Sequence, residues 1–109
     1  MASIDGCRWW TKAAQASRTA PRQLRHEHVV PRRVIIESLL ALDSATYDIV
    51  RERLERWCIA AVVSKEEDQR LCAAGLNHRM PIDWDGTDVW ARYRVAGIQA
   101  IDTTDAVGA

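Results

Sequence analysis

Six consecutive apolar residues, Cys58 to Val63 (CIAAVV), follow a stretch, Arg51 to Arg56, in which only Leu54 is uncharged. A run this short, this apolar and this sharply bounded suits a buried central strand covered on both faces. It therefore demands helices or strands on either side of it. With 109 residues the chain has material for one thin core, and a single domain spanning 1–109 is expected. Directly after the run, Ser64 with Glu67 three residues on reads as a capping box opening a helix to about Ala74, which Gly75 can stop in a left-handed turn.

The rest of the chain is read outward from that strand. Leu24 to Val30 alternates as a second strand, with Leu24, His26, His28 and Val30 on one face and Arg25, Glu27 and Val29 on the other. Pro31 ends it and suits the start of a helix over Arg32–Leu42, with Val34, Ile35, Leu39 and Leu42 inward. A further helix, capped at Asp43 or Ser44, runs to Trp57 with Tyr47, Val50, Leu54 and Trp57 inward. Cys7 to Arg18 reads as a short helix, Leu76 to Gly86 as a loop, and Thr87 to Ala96 as a last helix with Val89, Trp90, Tyr93 and Ala96 inward, ended by Gly97. Residues 1–6 and 98–109 are expected as flexible ends. The sum is an α+β domain of four to five helices around a minimal two-stranded sheet, which a second copy of the chain could extend in a homodimer.

Net charge is zero but unevenly placed. Residues 1–33 carry seven basic against two acidic side chains, a net of +5, and the remainder carries eight against thirteen, a net of −5. A basic first third can seat a polyanion or an acidic protein face, or the two parts can neutralise each other. The three cysteines, Cys7, Cys58 and Cys72, form neither a CxxC nor an even framework, which fits reduced thiols in a cytoplasmic protein. No run approaches the roughly 18 apolar residues of a membrane span, so no membrane partner is expected. GxGxxG and GxxxxGK[ST] are both absent, which removes the nucleotide-binding loops they define.

The chemistry-bearing segment is His26-Glu27-His28-Val29-Val30-Pro31. A histidine at a strand end, beside a carboxylate, can take a proton near neutral pH and activate water. His26 and His28 share a face and form an alternative ligand pair. On the helix after the apolar run, Asp68 and Cys72 are four apart and share a face, a workable spacing for two metal ligands. Asn77-His78 reads as a turn, with a reach back to the site as the alternative.

Residues Glu27 to Pro31 (EHVVP) followed by Val62 to Asp68 (VVSKEED) resemble the HNH, or His-Me finger, endonucleases. The resemblance implies a ββα-metal core, here with a helical insertion, in which Glu27, Asp68 and Cys72 bind a divalent metal (Mg, Mn, Ni or Zn) and His28 is the general base. Arg22, Arg25, Arg32 and Arg33 would then contact nucleic-acid phosphates. The chain departs from the family in having two helices between the segments, no match to its central asparagine, and Asp68 and Cys72 where histidines are usual. A nuclease-derived DNA-binding domain without catalysis, and without metal, fits the same residues.

A reading from another class uses the acidic part. A small interaction or inhibitor protein, of a phage or mobile-element kind, could present Glu66, Glu67, Asp83, Asp85 and Asp88 as a phosphate mimic, with Trp84 and Trp90 as anchors. Each residue also has a plain structural role open to it: Glu27 can pair with an arginine, Asp68 can sit favourably in a first helical turn, Cys58 and Cys72 can fill core, and Trp84 and Trp90 can close it.

Overall fold

In the computed structural model, which describes residues 7–104, the apolar run lies inside a mixed four-stranded sheet. In chain order the elements are β1 (Trp9–Thr11), α1 (Lys12–Ala16), a 3₁₀ turn (Pro21–Gln23), β2 (Leu24–His28), α2 (Arg32–Leu40), α3 (Tyr47–Trp57), β3 (Ala60–Ser64), α4 (Lys65–Ala73), α5 (Ala91–Ala96) and β4 (Ala100–Asp102). The strand order is β2-β3-β1-β4. β3 is internal, antiparallel to β2 and parallel to β1, and β4 closes the other edge antiparallel to β1.

The expected two-stranded sheet is thus corrected to four strands, and the two additional strands come from the same chain. Trp9, Trp10 and Thr11 form β1 where a helix was expected, because two aromatic residues and a threonine suit a strand buried on both faces. Thr11 then caps α1, its hydroxyl accepting from the Ala14 N–H at 3.0 Å. At the other end, residues 98–104 are not a frayed tail: Ile98 is buried and Ala100–Asp102 pair with β1. The expectation for residues 1–6 and 105–109 lies outside the described residues.

The sheet separates two apolar layers. Val62 packs with Trp10, Ala14 and Leu24 beneath α1. Ala61 and Val63 pack with Val29, Leu71, Leu76, Tyr93 and Ile98 beneath α4 and α5. A third cluster, Val30, Ile35, Trp57 and Met80, joins α2 and α3 to the long loop after α4. Fully burying side chains of this size stabilises by about 1.5–3 kcal/mol each.

The capping box forms as the spacing predicts: the Glu67 N–H donates to Ser64 Oγ at 3.1 Å, and the Ser64 N–H donates to Glu67 Oε1 at 2.9 Å. Gly75 (φ 73°) and Gly97 (φ 70°) supply the left-handed stops after α4 and α5. Three helix details differ from expectation. The cap of α3 is Thr46 rather than Asp43 or Ser44, and α5 begins at Ala91 rather than near Thr87. Tyr47 and Leu54, expected inward, are exposed, because α3 turns Val50 and Trp57 toward the body together with Arg53, which bonds Ser38 of α2 and stacks on Trp57. Among the described residues no helix is long and apolar enough to cross a membrane.

Candidate functional site

Directly opposed residues in an antiparallel pair project to the same face. Glu27 lies opposite Ala61, and His26 lies opposite Val62. Glu27 therefore points into the α4–α5 layer, while His26, and His28 two residues on, point to the other face. The alternation that keeps His26 and His28 together (ring centroids 6.5 Å apart) is the same alternation that parts them from Glu27.

On its own face Glu27 is fully engaged. Arg92, completely buried, donates from Nη2 to both Glu27 oxygens at 3.0 Å. Tyr93 donates its hydroxyl to Glu27 Oε1 at 2.6 Å. Arg92 also donates from Nη1 to the Leu76 carbonyl at 2.7 Å and from Nε and Nη2 to the Val29 carbonyl at 3.3 and 3.0 Å. One guanidinium thus ties the end of β2, the loop after α4 and helix α5 together. Burial, with the Glu27 carboxylate beside it, holds the Tyr93 phenol protonated far above its ordinary range.

The ligand set that the family resemblance implied is spread over separate parts of the fold. The carboxylate oxygens of Glu27 are taken by Arg92 and Tyr93. Asp68 and Cys72 lie on α4, over the face that His28 turns away from, and Cys72 is exposed. Among the described residues no group of three His, Cys, Asp or Glu side chains is placed to hold an ion. The residues as they stand do not fit a cage around one metal. Cys58, expected buried at the start of the strand, is exposed just before it.

Past the C-terminal end of β2 a cleft opens between the start of α2 and residues 77–79, and both Glu27 and His28 reach its wall. A cavity of about 310 Å³ is lined by Glu27, His28, Pro31, Arg32, Arg33, Asn77 and His78. A neighbouring one of about 440 Å³ shares Arg33, Asn77 and His78 and adds Val34, Glu37 and Arg79. The 77–79 loop does reach back to His28, the alternative to a plain turn. The acids in this lining are already matched: Glu27 by Arg92, and Glu37 by Arg33 at 3.1 Å.

Arg32 and Arg33 occupy the first turn of α2, where the helix dipole is positive; no acidic residue sits in that turn and no side chain caps it. That placement disfavours the helix on its own and concentrates positive potential at the cleft. The His28 imidazole pKa is lowered, chiefly by burial; Glu27 opposes this, and His26, Arg32 and Arg92 add smaller lowering contributions. The imidazole is therefore neutral near pH 7 and poised to take a proton beside an anion.

The four arginines expected on nucleic acid do not lie together. Arg25 turns its Nη1 to the Arg22 and Leu24 carbonyls at 3.0 and 2.8 Å. It and Arg22 lie at the far end of β2 from His28. Arg32 and Arg33 remain at the cleft, and His78 joins them together with Arg79, a residue that the sequence did not single out.

The acidic set divides as well. Glu67 is buried, held by Ser64 and by the Thr11 hydroxyl at 2.5 Å, so it is a helix cap and not a surface charge. Glu66 is exposed on α4. Asp83, Trp84, Asp85 and Asp88 line a separate cavity of about 270 Å³ with Arg94. There Asp85 accepts the Thr87 and Asp88 N–H groups, and Asp88 pairs with Arg94 at 2.7 Å, which holds its carboxyl below the usual range. Trp90 packs elsewhere, edge-on to Trp9 at 5.0 Å, and Trp84 packs on Trp57 at 5.1 Å.

Comparison with family models, with curated proteins and with solved structures finds no significant match.

Proposed function

We propose that this chain is a nucleic-acid-binding domain of nuclease-like pattern that grips DNA through its phosphates at the cleft between α2 and residues 77–79, without cleaving it. The observation that carries this reading is the placement of Arg32 in an uncapped, acid-free first helical turn, facing His28, His78 and Arg79 across a cleft in which Glu27 is held by Arg92 and Glu37 by Arg33. Helix N-termini with adjacent cations are suited to phosphate. His28 serves as a conditional cation: a phosphate beside it favours the imidazolium, so binding draws a proton onto the ring.

Catalysis by the HNH route would need Glu27 free to hold a metal on the same side as His28. Its bonds to Arg92 and Tyr93 oppose that use. The reading is tested by fluorescence anisotropy with a labelled DNA duplex over a range of salt, beside a plasmid-nicking assay with Mg²⁺, Mn²⁺, Ni²⁺ or Zn²⁺. Salt-dependent binding that weakens in Arg32→Ala/Arg33→Ala, with no metal-dependent nicking, is the expected result. Nicking lost in His28→Ala would replace it with the endonuclease reading, and no binding at low salt would remove both.

A further inference from the structure

The lining of the cleft also bears on the form of nucleic acid it takes. Proteins that hold single strands place aromatic rings for successive bases to stack on. Apart from the imidazoles, the described lining of the cleft contains no aromatic side chain: it is arginine, histidine, asparagine, proline, valine and two paired acids. The shortage is one of position, since the chain holds five tryptophans. Trp9 packs on Trp90, Trp57 packs on Trp84, and Trp10 is buried with its indole N–H on the Cys7 carbonyl. Tyr93 is buried on Glu27. Exposed Tyr47 starts α3 and lines neither cavity.

Resting on the reading of the cleft as a phosphate site, we infer that it engages the backbone of a duplex and is indifferent to base identity. Guanidinium and imidazole groups recognise phosphate oxygens, which fix position and carry no sequence information. A duplex presents phosphates at higher charge density than a single strand, and releases more counterions for each phosphate neutralised. An unstacked base, by contrast, would meet Pro31 and Val34 with nothing to replace its lost stacking.

The test titrates the full-length protein with equal-length labelled duplex DNA, duplex RNA, and oligo-dT, oligo-dA and oligo-dC, reading anisotropy and tryptophan emission together. The expected result is duplex affinity about threefold or more above any single strand, as their different counterion release implies, with single strands alike within about twofold. Tryptophan emission stays unchanged while anisotropy rises. Duplex RNA matching duplex DNA places the recognition in phosphate alone, and a preference for one duplex adds groove shape; both support duplex engagement. Single strands binding more tightly, ranking by base, or quenching tryptophan would overturn the inference while leaving phosphate binding intact. Failure of every probe to bind would overturn the phosphate reading and this inference with it.

Discussion

The α4–α5 face of β2 and the cleft at the end of that strand handle charge in opposite ways. Toward α4 and α5, the buried acids have their partners inside the fold: Glu27 with Arg92 and Tyr93, Glu67 with Ser64 and Thr11. Toward the cleft, Arg32, His78 and Arg79 stand with His28 at an uncapped helix start, and no carboxylate beyond the two already paired lines the walls. A buried charge must be matched internally or the fold is lost, whereas an exposed cluster of one sign persists at small cost and is free to meet a ligand. Adjacent residues of one short motif, Glu27 and His28, thereby acquire unrelated roles.

The largest expected effect falls on the internally matched face. Arg92→Ala leaves the Glu27 carboxylate with only the Tyr93 hydroxyl and takes a donor from the Leu76, His28 and Val29 carbonyls. Breaking a buried pair this way costs about 3–5 kcal/mol. Against a total of roughly 5–15 kcal/mol this should unfold a substantial fraction of the protein, and urea denaturation followed by circular dichroism measures it. Ser64→Ala removes one half of the capping box and should cost about 1 kcal/mol in the same assay.

On the cleft side the balance reverses. Arg32→Ala/Arg33→Ala should change stability by less than about 0.5 kcal/mol per site, since neither side chain is buried. DNA affinity should fall, and the slope of log affinity against log salt should shrink by about 0.9 for each phosphate that the variant no longer neutralises. Equal falls in stability in both places would dissolve the contrast.

The smallest effect is on pH. The folded-state pKa of His28 is depressed, so the folded protein binds that proton less readily than the unfolded chain. The associated stability is complete above the ordinary imidazole pKa of about 6.5 and erodes as pH falls below it. DNA binding runs the other way, because the imidazolium adds a phosphate donor, so affinity should rise as pH falls through the same window. His28→Asn should flatten the affinity profile; an unchanged profile would detach His28 from the cleft.

The sequence was most legible where local chemistry decides. The CIAAVV run became internal strand β3, and the Ser64–Glu67 box and the glycine stops formed where their spacing placed them. The alternation of Leu24 to His28 also predicted that Glu27 would face away from His28 on an ideal strand, and it does. Legibility ended where tertiary contacts decide. β1 is three residues long, too short for its period to show, and its partners lie about fifty and ninety residues away in Ala61 and Asp102. Arg92 in α5 reads as one more solvated arginine, because nothing local announces that Glu27 and the Val29 and Leu76 carbonyls converge on it. His78 and Arg79 entered the cleft through a loop whose course no periodic pattern sets.

That Glu27 anchors the fold while His28 serves the ligand can be checked by the DNA affinity of folded Glu27→Gln protein, measured beside His28→Gln. Once folded, Glu27→Gln should bind DNA at least as tightly as the wild type, since it takes a negative charge from the cleft wall, its stability lowered by about 1.5–3 kcal/mol for the weakened charged hydrogen bonds. His28→Gln should bind more weakly at unchanged stability. A Glu27→Gln protein that keeps its stability but loses DNA binding, or loses metal-dependent nicking, would contradict the claim and return Glu27 to the site beside His28.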